Sequence, residues 1–203
     1  MPGFYIRHIA YPQIDNLETS LAVSWNKRVK ETIELREDDL CNDGGADCNI
    51  DYRIDYASDE LISTAWLYDR YEHGAAHGTF WSNVDNILFR AELRELRTSD
   101  LFGPDERWFT EFQRLVWNEL RKQRWSPPDD ANGEAKADLL AASLQPTKWA
   151  LSANGIRIDF NAYEGGCYAC TPREPVELSW AELEQLRSPD SILRELRKER
   201  DNR

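Results

Sequence analysis

Four cysteines are the residues whose types and spacing most directly suggest chemistry in this chain. They form two close pairs, Cys41 with Cys48 and Cys167 with Cys170, and glycines lie beside each pair. Two local disulfides are the leading interpretation of this spacing. A disulfide joining the two pairs, a four-cysteine zinc site and free thiols are the alternatives. The zinc site fits less well, because the gap between Cys41 and Cys48 is too wide for a metal knuckle.

Two of the three histidines, His73 and His77, lie four residues apart. This spacing suits a metal ion when both imidazoles lie on one helix. Here Gly74 and Gly78 follow the two histidines and indicate a turn instead, and no glutamate stands between them. The sequence therefore predicts no metal and no cofactor, and it gives His77 and Gly78 a structural role at the turn.

Known catalytic motifs are missing from the sequence. It contains no Gly-x-Ser-x-Gly, no phosphate-binding glycine loop that ends in Lys-Ser or Lys-Thr, and no His-Glu-x-x-His. Carboxylate pairs such as Asp38-Asp39 lie in charged segments, where nothing would raise a pKa toward that of a general acid. The cysteines have no convincing base nearby. We therefore expect a protein that is not an enzyme.

The chain is acidic and rich in aromatic residues. Its 37 Asp and Glu against 25 Lys and Arg give a formal charge of −12, and it has eight Trp, eight Tyr and seven Phe. Such a field disfavours nucleic acid and anionic membranes and favours a cationic partner, although acidity also serves solubility alone. So many rings indicate a packed core or a partner surface.

The cellular location is expected to follow from the cysteines. No apolar run reaches the roughly 20 residues of a membrane span, and residues 1–4 open without a recognisable signal peptide. Oxidised cysteine pairs would imply a periplasmic or extracellular protein whose signal peptide has been removed. A cytoplasmic location is the alternative.

Hydrophobic periodicity predicts an α+β fold, in which antiparallel sheets pack against two main helices, with a C-terminal β-hairpin and short helices. The N-terminal elements are a strand over 4–11, a helix over 15–35 with a capping box of Asp15 and Glu18, and a meander of strands over 50–57, 61–71 and 79–89. The apolar stripe of the first helix consists of Leu17, Leu21, Trp25, Val29 and Ile33. A second helix is expected to begin at 103–105, with the apolar face Trp108, Phe109, Phe112, Leu115, Val116 and Leu120.

The most definite local prediction is a hairpin over 149–160 with a two-residue turn at Asn154-Gly155. The expected pairs are Ala153 with Ile156, Leu151 with Ile158, and Trp149 with Phe160, all on one buried face. Residues 176–179 read as a short strand, and Ser179 is placed to cap a short helix over 181–186.

Three stretches together resemble the RsiV-like domain family. They are residues 59–63 with 71–78, residues 93–102 ending in Ser99-Asp100-Leu101-Phe102, and residues 154–164 with Tyr168-Ala169 and the ending Ser179-Trp180-x-x-Leu183. This family includes the lysozyme-sensing extracellular part of RsiV-type anti-sigma factors and the N-terminal module of PdaC-type peptidoglycan deacetylases. The resemblance implies a PdaC-like half over residues 1–75 and an RsiV-like half over 76–203 that form one unit.

The resemblance also implies a partner-binding loop after the hairpin. Its residues are Tyr163, Glu164, Gly165, Gly166, Tyr168, Ala169 and Thr171. Cys167 and Thr171 depart from the proline and glycine of the family pattern, so a Cys167–Cys170 disulfide would stiffen the loop in place of proline. The two tyrosines suit an interface, and Glu164 would give the tip a negative charge. The alternative is that Tyr163 and Glu164 pack inside the domain.

The functional expectation is a non-catalytic binding protein. It would capture and inhibit a basic lysozyme-like muramidase or a secreted effector, as a lysozyme inhibitor or an immunity protein. A module that binds carbohydrate or peptidoglycan is the alternative, because exposed aromatic rings stack on sugars.

Overall fold

The protein is described by a computed structural model over residues 6–15, 19–41, 45–103, 107–123, 125, 133–167, 170–188 and 191–192. The strands are β1 (Arg7–Ile9), β2 (Ala46–Ala57), β3 (Leu61–Glu72), β4 (Thr79–Phe89), β5 (Leu93–Glu95), β6 (Trp149–Leu151), β7 (Gly155–Ile158) and β8 (Val176–Ser179). The helices are α1 (Ser20–Cys41), α2 (Thr98–Leu101), α3 (Trp108–Lys122), α4 (Glu134–Ala142) and α5 (Trp180–Leu183). Short 3₁₀ turns occupy Pro146–Lys148 and Glu184–Leu186. The α+β class is confirmed.

A five-stranded sheet in the order β1-β2-β3-β4-β5 forms the centre of the fold. β2, β3 and β4 are the predicted antiparallel meander, while β1 adds in parallel to β2 and β5 adds antiparallel to β4. The expected boundary between the two halves, at 75/76, falls in the turn that joins β3 to β4. Each half therefore contributes strands to the same sheet.

Helix α1 covers one face of this sheet with the predicted apolar stripe. Trp25, Val29 and Ile33 pack against strand residues of the same core. These strand residues are Cys48, Ile50, Ile62, Trp66, Tyr68 and Ile87. The helix continues beyond the predicted end at residue 35 to Cys41, whose disulfide to Cys48 fastens it to β2.

The start of α1 corrects the predicted capping box. The helix begins at Ser20, and the Thr19 hydroxyl accepts a hydrogen bond from the Ala22 N–H at 3.1 Å. Asp15 lies before the helix, while Leu17 and Glu18 lie outside the described residues. Threonine is also among the favoured N-cap residues, so the box motif alone does not determine the first turn.

The opposite face of the central sheet is covered by a second sheet, in the order β6-β7-β8, and α3 packs against β8 of that second sheet. The predicted face of α3 is buried there, except that Phe109 is only partly buried; Leu61 and Leu88 of the central sheet join the same core. Of residues 103–105, where this helix is expected to start, only Gly103 lies within the described range. Helices α2 and α4 are additions that the periodicity did not predict.

The hairpin forms at the predicted place, but its register is two residues away from the predicted one. The observed pairs are Trp149 with Ile158, Ala150 with Arg157, and Leu151 with Ile156. The two-residue turn is therefore Ala153-Asn154, closed by the Ser152 N–H donating to the Gly155 carbonyl at 2.9 Å. A shift of two residues keeps every side chain on its face. The other predicted residues are accordingly buried, and Ala153 is exposed.

The position of Gly155 explains the register. Gly155 lies inside β7 opposite Ser179 of β8, and a Cβ built on it would lie 1.9 Å from the Leu178 carbonyl oxygen. The glycine thus serves a close backbone approach and not the positive φ of an Asn-Gly turn. The next element follows the prediction: the Ser179 hydroxyl accepts from the Glu182 N–H, and the Glu182 carboxylate accepts from the Ser179 N–H, to cap α5.

Within the described residues, no helix is both long enough and apolar enough to cross a membrane.

Asp100 holds the turn between β5 and α3. Its two carboxylate oxygens accept hydrogen bonds from the Arg94 guanidinium at 2.7 and 2.8 Å and from the Arg97 N–H at 2.7 Å. Burial raises the pKa of Asp100, but the bonds from Arg94 and Arg97 outweigh it and hold the pKa below its ordinary value.

We predict that Gly155→Ala lowers the free energy of unfolding by about 3 kcal/mol, because the added methyl group meets the backbone of β8 rather than a movable side chain. Urea denaturation measures the effect. Gly45→Ala is the control, since a Cβ there has nothing within 4 Å, and its change should stay within about 0.5 kcal/mol. Equal effects in the two variants would contradict the close approach.

We predict that Asp100→Asn lowers stability at pH 7 by about 2 kcal/mol, because hydrogen bonds to a charged acceptor are lost. A depressed folded pKa contributes stability that is present above the unfolded pKa of about 4 and is lost as the pH falls through the folded pKa. The difference from the parent protein should therefore shrink in urea denaturation at pH 3. An unchanged difference at the two pH values, or the same loss in exposed Asp59→Asn, would contradict this role.

Candidate functional site

The loop between β7 and β8 carries the partner-binding residues expected from the sequence. It is described at 159–167 and 170–175, while Tyr168 and Ala169 lie outside the described residues. Backbone bonds from the Glu164 N–H to the Asn161 carbonyl and from the Gly166 N–H to the Tyr163 carbonyl fold residues 161–166 into two successive turns. The first half of the loop is therefore an ordered structure and not an open chain.

Asn161 fastens the start of the loop to the central sheet. Its side-chain oxygen accepts from the Ser82 N–H at 2.7 Å, and its side-chain nitrogen donates to the Ser82 carbonyl at 3.2 Å. The amide thereby pairs with β4 as the backbone of a neighbouring strand would. This occupies a stretch of strand edge that would otherwise expose its polar groups.

Glu164 fastens the loop to the interior. Its Oε1 lies 2.5 Å from the Nζ of Lys148, whose side chain is 4% exposed, and its Oε2 accepts from the Asn161 N–H at 2.6 Å. A buried ammonium is costly unless a counter-charge reaches it, so the carboxylate points inward. Of the two expectations for Glu164, the contacts agree with the one in which it hydrogen-bonds within the domain, and its role in partner binding stays a prediction.

The end of the loop is closed by the second predicted disulfide. Cys167 and Cys170 are bonded, with their Cα atoms 4.9 Å apart, and the Cys170 carbonyl accepts from Trp125 Nε1 at 2.8 Å. Together with Cys41–Cys48, this bond confirms the two local pairings and leaves no free cysteine in the described chain.

Gly165 and Thr171 serve the packing of the loop and not its outer surface. Both are buried, and a Cβ on Gly165 would lie 2.5 Å from the Cys170 carbonyl oxygen. In this structure the two residues shape the loop, and their expected role in partner binding stays a prediction. Gly166 is exposed and adopts a φ of +87°, which favours glycine.

Tyr163 is the exposed aromatic residue in the described part of the loop. It is 52% exposed, and its φ of +70° is the one positive value among the described residues other than glycine. A bulky side chain in the left-handed region is strained and persists only where its surroundings fix it. Here the anchors are its near neighbours Asn161 and Glu164. The loop therefore holds the backbone of Tyr163 between two anchors while much of its ring is exposed.

A groove of about 790 Å³ lies beside the loop, and the sequence did not predict it. Its floor is the face of the central sheet opposite α1, where Asn49, Asp69 and Phe80 stand in one row across three strands. Leu67 and Ser82 form the next row. The ends of the loop, residues 159–161 and 171–175, form the walls. One sequence signal that could have suggested it is Phe80 next to Trp81, because adjacent strand residues put an aromatic ring on each face of the sheet.

One end of the groove carries a network of two arginines and two aspartates. Asp159 accepts from Arg157 at 2.9 to 3.2 Å and from Arg53 at 3.3 Å, and Arg53 also donates to Asp55 at 2.7 Å. Burial lowers the pKa of Arg53, but the hydrogen bond and charge of Asp55, together with Asp159, raise it overall. Each guanidinium is thus charged and held in place.

The histidines lie in the turn before β4, as predicted. His77 Nδ1 is 3.0 Å from the Gly78 carbonyl oxygen, and His73 Nε2 is 3.2 Å from Asp47 Oδ1. A Cβ on Gly78 would lie 3.3 Å from the Arg70 carbonyl, so the turn packs tightly there. Across the described ranges, no group of three or more His, Cys, Asp or Glu residues is arranged to hold a metal ion.

Comparison with known proteins finds a family similarity in the C-terminal half of the chain. Residues 99–176 match the family model described as a protein of unknown function, DUF3298, a segment that runs from α2 into β8 and includes the loop. Part of the chain, less than half of its length, is thus similar to the DUF3298 family. No curated protein matches it by sequence.

Two solved structures of similar fold are described as members of the DUF3298 family. A member from Bacteroides fragilis NCTC 9343 has a TM-score of 0.58 at 18% identity, over 87% of this chain and 69% of that chain. A protein from Pseudomonas aeruginosa PAO1 has a TM-score of 0.52 at 15% identity, over 78% of this chain and 70% of that chain. At such identities the likeness establishes the fold alone.

We predict that Glu164→Gln lowers the free energy of unfolding by about 3 kcal/mol, because it leaves the Lys148 ammonium buried without its counter-charge. Adding Lys148→Met should recover most of this loss, since the charge is then gone as well. Glu31→Gln, which breaks an exposed pair with Lys27, is the control and should change stability by less than about 1 kcal/mol. A double variant no more stable than Glu164→Gln would refute the ion pair as the anchor.

Proposed function

We propose that this protein is a non-catalytic binding protein that captures and inhibits a basic cell-wall hydrolase of the lysozyme type, as a lysozyme inhibitor or immunity protein. The observation that carries the proposal is Tyr163, an exposed ring held at a positive φ between two anchors. Aromatic residues fixed before binding are favoured as interface anchors, because little conformational entropy is lost when the partner arrives.

The charge of the chain supports a basic partner. A formal charge of −12 produces a field that attracts a cationic protein and raises its association rate, typically by about 10 to 10³-fold at low salt. The tip itself does not supply this charge, because Glu164 is paired with Lys148. The attraction therefore comes from the whole acidic surface, and Tyr163 provides the local contact.

The sequence resemblance supports the class of partner. The loop falls inside the 99–176 segment that matches DUF3298, and the stretches that resemble the RsiV-like family include the same loop. The lysozyme-sensing role of that family is the reason for choosing a muramidase or a similar secreted effector. Two disulfides also favour a periplasmic or extracellular location, where such an enzyme would be met.

We predict that Tyr163→Ala weakens the binding of purified lysozyme by about 30-fold or more, the loss expected of an interface hot spot. Isothermal titration calorimetry measures the affinity, and a muramidase activity assay measures the inhibition. Tyr168→Ala is the parallel variant from the sequence prediction. Binding should weaken as the salt concentration rises.

A second substitution separates binding from folding. Tyr163→Gly relieves the strained φ and should leave stability unchanged or raise it by up to about 1 kcal/mol, while affinity falls as in Tyr163→Ala. Tyr11→Ala, which removes an exposed tyrosine far along the chain from the loop, should bind as the parent does. Full affinity in both Tyr163 variants would place the interface elsewhere, and no binding of lysozyme by the parent protein would refute the proposal.

A further inference from the structure

The groove exists because the two layers of the fold differ in length. β2, β3 and β4 have 12, 12 and 11 residues, whereas β6, β7 and β8 have only three or four. The second sheet, with its short strands, extends over the central sheet only as far as the row of Ala65 and Val84, where Ala150 packs on them. The next two rows of the same face, toward Phe80, lie open as the groove floor.

The floor of the groove is apolar at its centre and polar at its margins. Phe80 is 50% exposed, Leu67 is half-buried, and Phe160 and Pro172 form apolar parts of the walls. Most apolar side chains on this face of the sheet are buried, so an exposed ring beside a concave space is an exception. Sites for small ligands combine such an apolar lining with a few fixed polar groups, in volumes of about 300 to 1,000 Å³.

The charges around the groove balance. Its lining includes three arginines and three carboxylates, namely Arg53, Arg157, Arg173, Asp69, Asp159 and Glu174. Two of the arginines already share Asp159. A ligand with a large net charge therefore gains little here, while a neutral ligand finds both donors and acceptors in fixed positions.

The geometry of the floor also separates two kinds of neutral ligand. The backbone N–H and C=O groups of β2, β3 and β4 point along the sheet and not into the groove, so the floor presents side chains only. An extended peptide needs partners for its own backbone and finds them at a sheet edge, not on a sheet face. A sugar ring has apolar C–H faces that stack on an aromatic ring, and hydroxyls around its edge that bond to Arg, Asp and Asn.

We propose that this groove is a binding site for a neutral oligosaccharide. The ring of Phe80 forms the stacking platform, and the Arg53–Asp159–Arg157 network bonds to hydroxyls at one end. Three strands spaced about 4.8 Å apart make the floor about 10 Å wide, which suits a single glycan strand. The site is separate from the Tyr163 tip and does not depend on the proposed capture of a hydrolase.

The test is a titration of the ¹⁵N-labelled protein with chitotetraose, cellotetraose and maltotetraose, followed by calorimetry with any that bind. We expect at least one to bind with a dissociation constant of about 1 mM or below, nearly independent of salt, and to shift the amide signals of Leu67, Phe80 and Ser82. Phe80→Ala should weaken this binding by about 10-fold or more. Phe80→Leu, which keeps the apolar volume and removes the ring face, guards against loss of folding and should weaken it similarly.

Two controls separate this inference from the proposed function. Leu35→Ala removes an exposed apolar side chain from α1, on the other side of the sheet, and should not change saccharide binding. Tyr163→Ala should not change it either. If none of the three saccharides shifts the groove signals at about 10 mM, if the Phe80 variants bind as the parent does, or if an extended tetrapeptide binds there in their place, the groove is not a glycan site.

Discussion

The ion pair between Lys148 and Glu164 is the constraint on which the geometry of the candidate site depends. Lys148 ends the 3₁₀ turn before β6, and its ammonium is almost completely buried by the layer that covers the central sheet. Such a group requires a nearby negative charge, and Glu164 of the loop supplies it. With Asn161 held on β4 three residues earlier, the chain between the two anchors has little freedom. The left-handed φ of Tyr163 and the exposure of its ring follow from these two fixed points.

The sequence predicted the central elements well, because the signals that define them are local. Alternating strands separated by Ser58-Asp59 and by the 73–78 turn are enough to define the meander, since neighbouring antiparallel strands pair with each other. The hairpin register depends instead on a distant strand. Gly155 is required because the backbone of β8 approaches it, and no pattern within 149–160 reveals that contact. The error of two residues left the buried face correct, because side chains alternate with a period of two.

The candidate site was predicted only in part, for a similar reason. The sequence identified the loop and its disulfide, because two cysteines three positions apart beside two glycines form a local pattern. It could not decide where the Glu164 carboxylate points, because that depends on the burial of Lys148, a lysine sixteen residues earlier that reads as a surface residue. The groove could not be predicted from the sequence, because it arises from the unequal strand lengths of the central sheet and the second sheet. The sequence of one sheet does not indicate how far the other sheet extends over it.

The loop and the groove are neighbours that share one strand, which determines how their roles can be separated. Asn161 holds the loop on Ser82 of β4, and both residues also line the groove. A substitution at either one would disturb the groove wall and the anchor of the tip together, so its effect could not be assigned to one surface. Phe80 and Tyr163 differ in this respect, because Phe80 belongs to the groove floor and Tyr163 projects from the loop outside the groove lining. The hydrogen bonds between Asn161 and Ser82 connect the two regions, so two surfaces with different chemistry lie side by side on one small fold.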